Sequence, residues 1–220
     1  MKYEEKYEDK NKFKSRLSSI LLPLLLYFVL YNFSIQFFLL FFRESPGYLF
    51  CIFLAGLITL PFMIWAYSKV GKLPVKYALS DLPLEALAIG GVVAFGLLYN
   101  WACTRLGLLG DPSFQEANRA LISGPFWMKI LTSAVLTPIL EEILYRGIIA
   151  GQMDRFFGRI PAVLISSLLF GAMHFNVVQF VYAALLGIGL ALLYLWKGKI
   201  ILPILAHGLT NLFVLLIAGL

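Results

Sequence analysis

Residues 160–196 read IPAVLISSLLFGAMHFNVVQFVYAALLGIGLALLYLW, 37 consecutive residues without Asp, Glu, Lys or Arg. A membrane-spanning helix needs about 20 apolar residues. The block is therefore too long for one span and barely long enough for two, so a helical hairpin is expected, turning near Phe175 and Asn176. Working outward, the uncharged blocks 17–42, 47–68, 86–104 and 200–220 each suit one helix. A further helix is expected over 120–140, interrupted only by Lys129 and continuing through Glu141, Glu142 and Arg146 to Ala150. The fold class that follows is all-α, a polytopic transmembrane bundle of about seven helices. Continuous apolarity, in place of strict alternation, excludes a transmembrane β-barrel.

Composition agrees. Hydrophobic residues make up 60% of the 220 and charged residues 14%, with a mean hydropathy of +0.85, against about 45–50% and about 25% in soluble domains. A soluble enzyme, a disordered tail protein and a disulfide scaffold are excluded, and no room is left for a separate soluble domain. The expected organisation is a charged N-terminal tail, 1–16, followed by a single membrane domain, 17–220. The tail carries both signs of charge and the block after it far exceeds the h-region of a signal peptide, so 17–42 is expected to be a retained first span. Net charge is +6, but the basic residues sit at the ends of apolar blocks and read as topology signals, with no nucleic-acid partner implied. A cytoplasmic N-terminus places 1–16, 69–85, 141–159 and 197–199 inside, with 14 of the 18 Lys and Arg. The small size and short loops suggest a bacterial cytoplasmic membrane as the location. Residues 111–124 suggest a short outer-face helix capped by Asp111 ahead of Pro112. Cys51 and Cys103 lie inside apolar blocks and read as packing residues, not a bridge.

A charge in the middle of a membrane helix costs about 2.5–3.5 kcal/mol on insertion scales, so ionisable residues there mark function. Three stretches stand out: EEILYR (Glu141 to Arg146), FGAMH (Phe170 to His174) and HGLTN (His207 to Asn211). Glu142 and Arg146 stand at i and i+4, the spacing of a helical ion pair, which leaves Glu141 on another face. The two histidines are the only ones in the chain, and both fall in apolar blocks. His207 and Asn211 share a helix face. Pro138 and Pro203 precede Glu141 and His207 and are expected to kink the backbone there. Lys129 is expected to snorkel, and Gln36, Asn100, Ser166, Ser167 and Gln179 to bond between helices.

Hydrolysis inside a membrane needs a group to activate water and another to stabilise the oxyanion. No HExxH, no GxSxG and no aspartate pair within the apolar blocks is present, Asp81, Asp111 and Asp154 being read as loop residues. What remains is Glu plus two His plus Asn. In that order, EExxxR, FxxxH and HxxxN resemble the CPBP family, the CAAX proteases and bacteriocin-processing enzymes, over residues 120–220. The resemblance implies an intramembrane endopeptidase whose pocket opens to the cytoplasm and whose substrate is a peptide or lipid-anchored protein in the bilayer. It implies that Glu141 and His174 activate water, that His207 and Asn211 stabilise the oxyanion, and that Glu142 and Arg146 orient Glu141. For the cofactor two accounts stand equally: a zinc ion held by Glu141, His174 and His207, or a metal-free site. A non-catalytic scaffold or immunity protein on the same fold is the alternative. Simple full-length spans place His174 too far from the other residues, a difficulty removed if the hairpin turns near mid-membrane.

Overall fold

The computed structural model describes residues 2–42, 47–70, 72–76, 78, 81–110, 112, 115, 124–174 and 176–218, with side chains from Phe13 onward. These residues form a helical membrane bundle with seven principal helices: α1 (Lys2–Phe42), α2 (Tyr48–Lys69), α3 (Leu82–Arg105), α4 (a continuous run from Phe126–Lys129 to Gly151–Phe157), α5 (Arg159–Ala172), α6 (Val177–Lys197) and α7 (Ile201–Ala218). Four apolar helices, Phe13–Phe42, Tyr48–Lys69, Leu82–Arg105 and Val177–Lys197, are long enough to cross a bilayer. The charged tail belongs to α1 without a break in the backbone. The expected Asp111 cap lies outside the described residues.

The 37-residue block is a hairpin, and an asymmetric one. Gly158 ends α4 at φ 90°, a conformation that favours glycine, and α5 then runs only 14 residues, about 21 Å. That is short of the ~30 Å hydrocarbon core, so α5 alone is too short to cross it. At the turn that follows, Asn176 caps α6, its Oδ1 accepting from Gln179 N–H at 2.8 Å. Gly171 lets the two helices close, since a Cβ on it would lie 2.7 Å from Phe180 O. Ser166 and Ser167 bond back to Val163 O in their own helix, not across helices as expected.

The loops after α2, α4 and α6 share one end of the bundle, hereafter the basic end. Lys197 pairs with Asp81 and Lys199 with Glu85, tying the α6–α7 turn to the start of α3. Arg155 and Arg159 donate to Lys72 O and Leu195 O. Asp154 proves to lie in the last helical turns of α4 rather than in a loop. Pro203 falls in the first turn of α7, where a missing N–H leaves no gap in the helix, so no kink forms at that position. Cys51 and Cys103 are buried and unbridged.

Candidate functional site

The site is built on an irregularity in α4. Thr137 N–H bonds Thr132 O and, further on, Gly151 N–H reaches Arg146 O, five residues back in each case, so the helix widens twice around EEILYR. Pro138 follows the first wide turn and has no N–H to give to Ser133 O. That carbonyl accepts instead from Asn211 Nδ2 of α7 at 2.8 Å. The crossing is tight: a Cβ on Gly208 would come within 2.6 Å of Ala134 O. A backbone break in one helix thus becomes the docking point of another, and it sets the height at which His207 faces Glu141.

Glu142 and Arg146 form the ion pair that their spacing suggests, Nη1 to Oε1 at 2.9 Å with both side chains fully buried. The same carboxylate oxygen accepts from His207 Nδ1 at 2.9 Å. Arg146 Nη2 donates to Gly187 O of α6, and its guanidinium lies 4.4 Å from the Phe170 ring centre. Phe170 also meets His174 and His207 edge-on, at 5.2 and 5.5 Å between ring centres. One aromatic ring therefore sets the positions of both histidines and the arginine, a role that FxxxH as a pattern did not disclose.

With Nδ1 committed to Glu142, His207 turns Nε2 toward Glu141 Oε2 at 3.8 Å. His174 Nδ1 donates to Phe170 O at 3.0 Å, which leaves its Nε2 free for another partner. Glu141, His174, His207 and Asn211 line one cavity of about 350 Å³. The rest of the wall is largely apolar, and Glu141 is the only Asp, Glu, Lys or Arg among the described residues that line it. Glu142 and Arg146 stand behind the wall. Helices outside the motifs contribute as well: Tyr31 of α1, Ile52 of α2, and Tyr99 and Asn100 of α3. The sequence signal for Tyr31 was faint, a tyrosine one turn from Tyr27 in an apolar helix, the two rings stacking at 5.3 Å.

Among the described residues no three His, Cys, Asp or Glu side chains converge closely enough to hold a metal ion. Glu141, His174 and His207 share the cavity wall without forming a ready-made ligand set. The cavity reaches from Glu141 and Leu186 out to Cys103, Leu109, Val178 and Leu215, and so toward the end of the bundle opposite the basic loops.

Residues 123–213 match the family described as type II CAAX prenyl endopeptidase, Rce1-like. The chain is 36% identical to "Putative membrane peptidase YdiL" of Bacillus subtilis (strain 168), over 64% of this chain and 65% of that protein. It is 31% identical to "Membrane-embedded CAAX protease MroQ" of Staphylococcus aureus (strain USA300), over 66% of this chain and 60% of the relative. With human "CAAX prenyl protease 2" it shares 28% identity over 38% of this chain and 32% of that one. The chain thus spans less than two thirds of the length of these relatives. No solved structure matches it significantly.

Proposed function

The chain belongs to the CPBP family of membrane CAAX-type proteases, and from that premise we propose that it is an intramembrane endopeptidase that cleaves a membrane-associated peptide with a water activated by Glu141 and His174. One observation supports this above others: four polar side chains, from α4, α7 and the turn after α5, meet in a single apolar-walled cavity, while the Glu142–Arg146 pair that shapes it is closed off behind.

In the proposed reaction a water sits between Glu141 and His174 Nε2. Glu141 takes a proton from it as the oxygen attacks the scissile carbonyl. The oxyanion that forms accepts from His207 Nε2–H and from the Asn211 amide hydrogen not given to Ser133 O. His207 must be doubly protonated for this, and its setting suits the charge: Nδ1–H is held by Glu142, and Nε2 faces the carboxylate of Glu141. With Arg146 the buried cluster then sums to neutrality, two carboxylates against two cations. Glu141 finally returns its proton to the leaving amine, the carbon–nitrogen bond breaks, and the new carboxyl terminus departs. The test is N-terminal profiling of membrane peptides from cells carrying the native chain or Glu141→Gln. Peptide ends that vanish in the variant identify the substrate; identical profiles from a stably folded variant reject the peptidase.

A further inference from the structure

The proposed chemistry needs a peptide to reach Glu141, and the direction of approach is written in the distribution of charge. All the loops at the basic end, after α2, α4 and α6, carry Lys or Arg or adjoin them: Lys69, Lys72, Lys76, Arg155, Arg159, Lys197 and Lys199. The six basic residues of 1–16 precede the apolar part of α1 and join the same end, where Arg16 lies over the Phe156 ring of α4 at 5.4 Å. Arg146 drops out of the sequence count, because it is buried in the pair with Glu142. The asymmetry survives that loss, since among the described residues only Arg105 and Lys129 lie toward the opposite end. Positive-inside bias places the basic end in the cytoplasm.

The cavity is at the other end. Its outer wall is made by Cys103 near the close of α3, Leu109 beyond it, Val178 at the hairpin turn, and Val214 and Leu215 in the second half of α7. Toward the basic end it is stopped by the closed stack of Glu142, Arg146 and Phe170, each no more than 1% exposed. We infer that the site is entered from the extracytoplasmic side, by an uncharged apolar stretch of peptide already exported or inserted in the bilayer. The described wall carries no Asp, Glu, Lys or Arg other than Glu141, whose charge His207 balances, and this matches such a stretch and disfavours a segment with an ion beside the cleaved bond. The reaction that supplies this substrate is accordingly a translocation or insertion step, and cleavage follows it.

The inference rests on the peptidase reading only for the nature of the occupant; the side of entry is read without activity. The full chain, with Cys51→Ser and Cys103→Ser, carries either Leu106→Cys, at the exposed rim near the cavity, or Lys76→Cys, in the basic loop. An impermeant thiol reagent should label Leu106→Cys in intact cells and Lys76→Cys only after permeabilisation. Alkaline phosphatase fused directly after Ala218, the last residue of α7, which ends on the cavity side, should be active. The reverse labelling, labelling of both positions in intact cells, or an inactive phosphatase on a stable fusion would overturn it. If Leu106→Cys reacts from neither side, the fusion alone decides. Glu141→Gln is scored separately for cleavage, so loss of the peptidase reading and loss of the sidedness are different results.

Discussion

The two ends of the bundle hold their polar groups in opposite ways. At the basic end, ions are paired along short loops: Lys197 with Asp81 and Lys199 with Glu85, with Arg155 and Arg159 on main-chain carbonyls. At the cavity end, polar groups are held one atom at a time, each by a partner that leaves a second atom facing the cavity. Glu142 takes Nδ1 of His207 and leaves Nε2; Phe170 O takes Nδ1 of His174 and leaves Nε2; Ser133 O takes one hydrogen of Asn211. Saturated pairs make a clamp, and half-satisfied groups make a reactive surface. Substitutions at the cavity end should therefore change rate before stability, and those at the basic end neither by much.

The largest effect is expected at Glu141. Replacing it with Gln keeps its volume and removes the base, so cleavage should fall by roughly 10⁴-fold, the upper range for one general base, with the thermal midpoint close to that of the native chain. His174→Ala should cost nearly as much, and the double variant little more than either, because in the proposed reaction the two act on one water. Additive losses measured in the double variant would separate them.

Next is Arg146, which breaks the contrast by being near the cavity end yet turned away from the cavity, into the buried pair with Glu142. Arg146→Ala leaves the fully buried Glu142 carboxylate without its cation and frees Gly187 O, so a loss of about 3–5 kcal/mol is expected, read as a lower melting temperature in detergent or lower protein level. Arg146→Lys should recover only part, since one ammonium cannot meet both Glu142 and Gly187 O in the way the planar fork does. A variant of normal stability would remove the pair from the scaffold.

How much of this could be seen in advance depends on the range of the interaction. The bundle, the hairpin and the Glu142–Arg146 pair follow from patterns within one or two helices, where apolar length and i,i+4 spacing are sufficient. The meeting of Glu141, His174, His207 and Asn211 was legible only as a set of ionisable residues out of place, without distances. The contribution of Tyr31 was only faintly legible, and the hub at Phe170 and the Asn211–Ser133 bond were not legible at all. Each depends on how two distant helices cross, and the crossing at Gly208 depends in turn on a widened turn before Pro138 that no periodicity announces. Pro203 shows the converse error: the same residue type is silent when it falls in a first turn.

Asn211 should come third. Its amide fills the carbonyl left by Pro138 and, in the proposed reaction, also donates to the oxyanion, and the two can be separated. Asn211→Ala removes both, and a fall of roughly 10²–10³ in turnover is expected for a lost oxyanion donor, together with about 1 kcal/mol of stability for the vacated Ser133 O. Asn211→Asp at a pH where it is ionised keeps the size but replaces the donor by an acceptor facing a carbonyl, so it should be worse than Ala in both measurements.

The smallest effects belong to the basic end, and they sharpen the comparison because its two ion pairs differ in depth. The Asp81 side chain is 29% exposed and that of Glu85 5%, while their lysines are 8% and 9% exposed. Solvent screens the first pair, so Asp81→Asn should cost no more than about 1 kcal/mol. Glu85→Gln leaves a buried ammonium beside a neutral amide and should cost more than Asp81→Asn, though less than Arg146→Ala, because the Lys199 stem can carry its charge toward the loop. Neither should alter the rate of cleavage per folded molecule, since the closed stack of Phe170, Arg146 and Glu142 lies between them and the cavity. A change in turnover without a change in stability for Glu85→Gln would mean that the α6–α7 turn and His207 move together, and that the clamp is part of the catalytic machinery rather than its support.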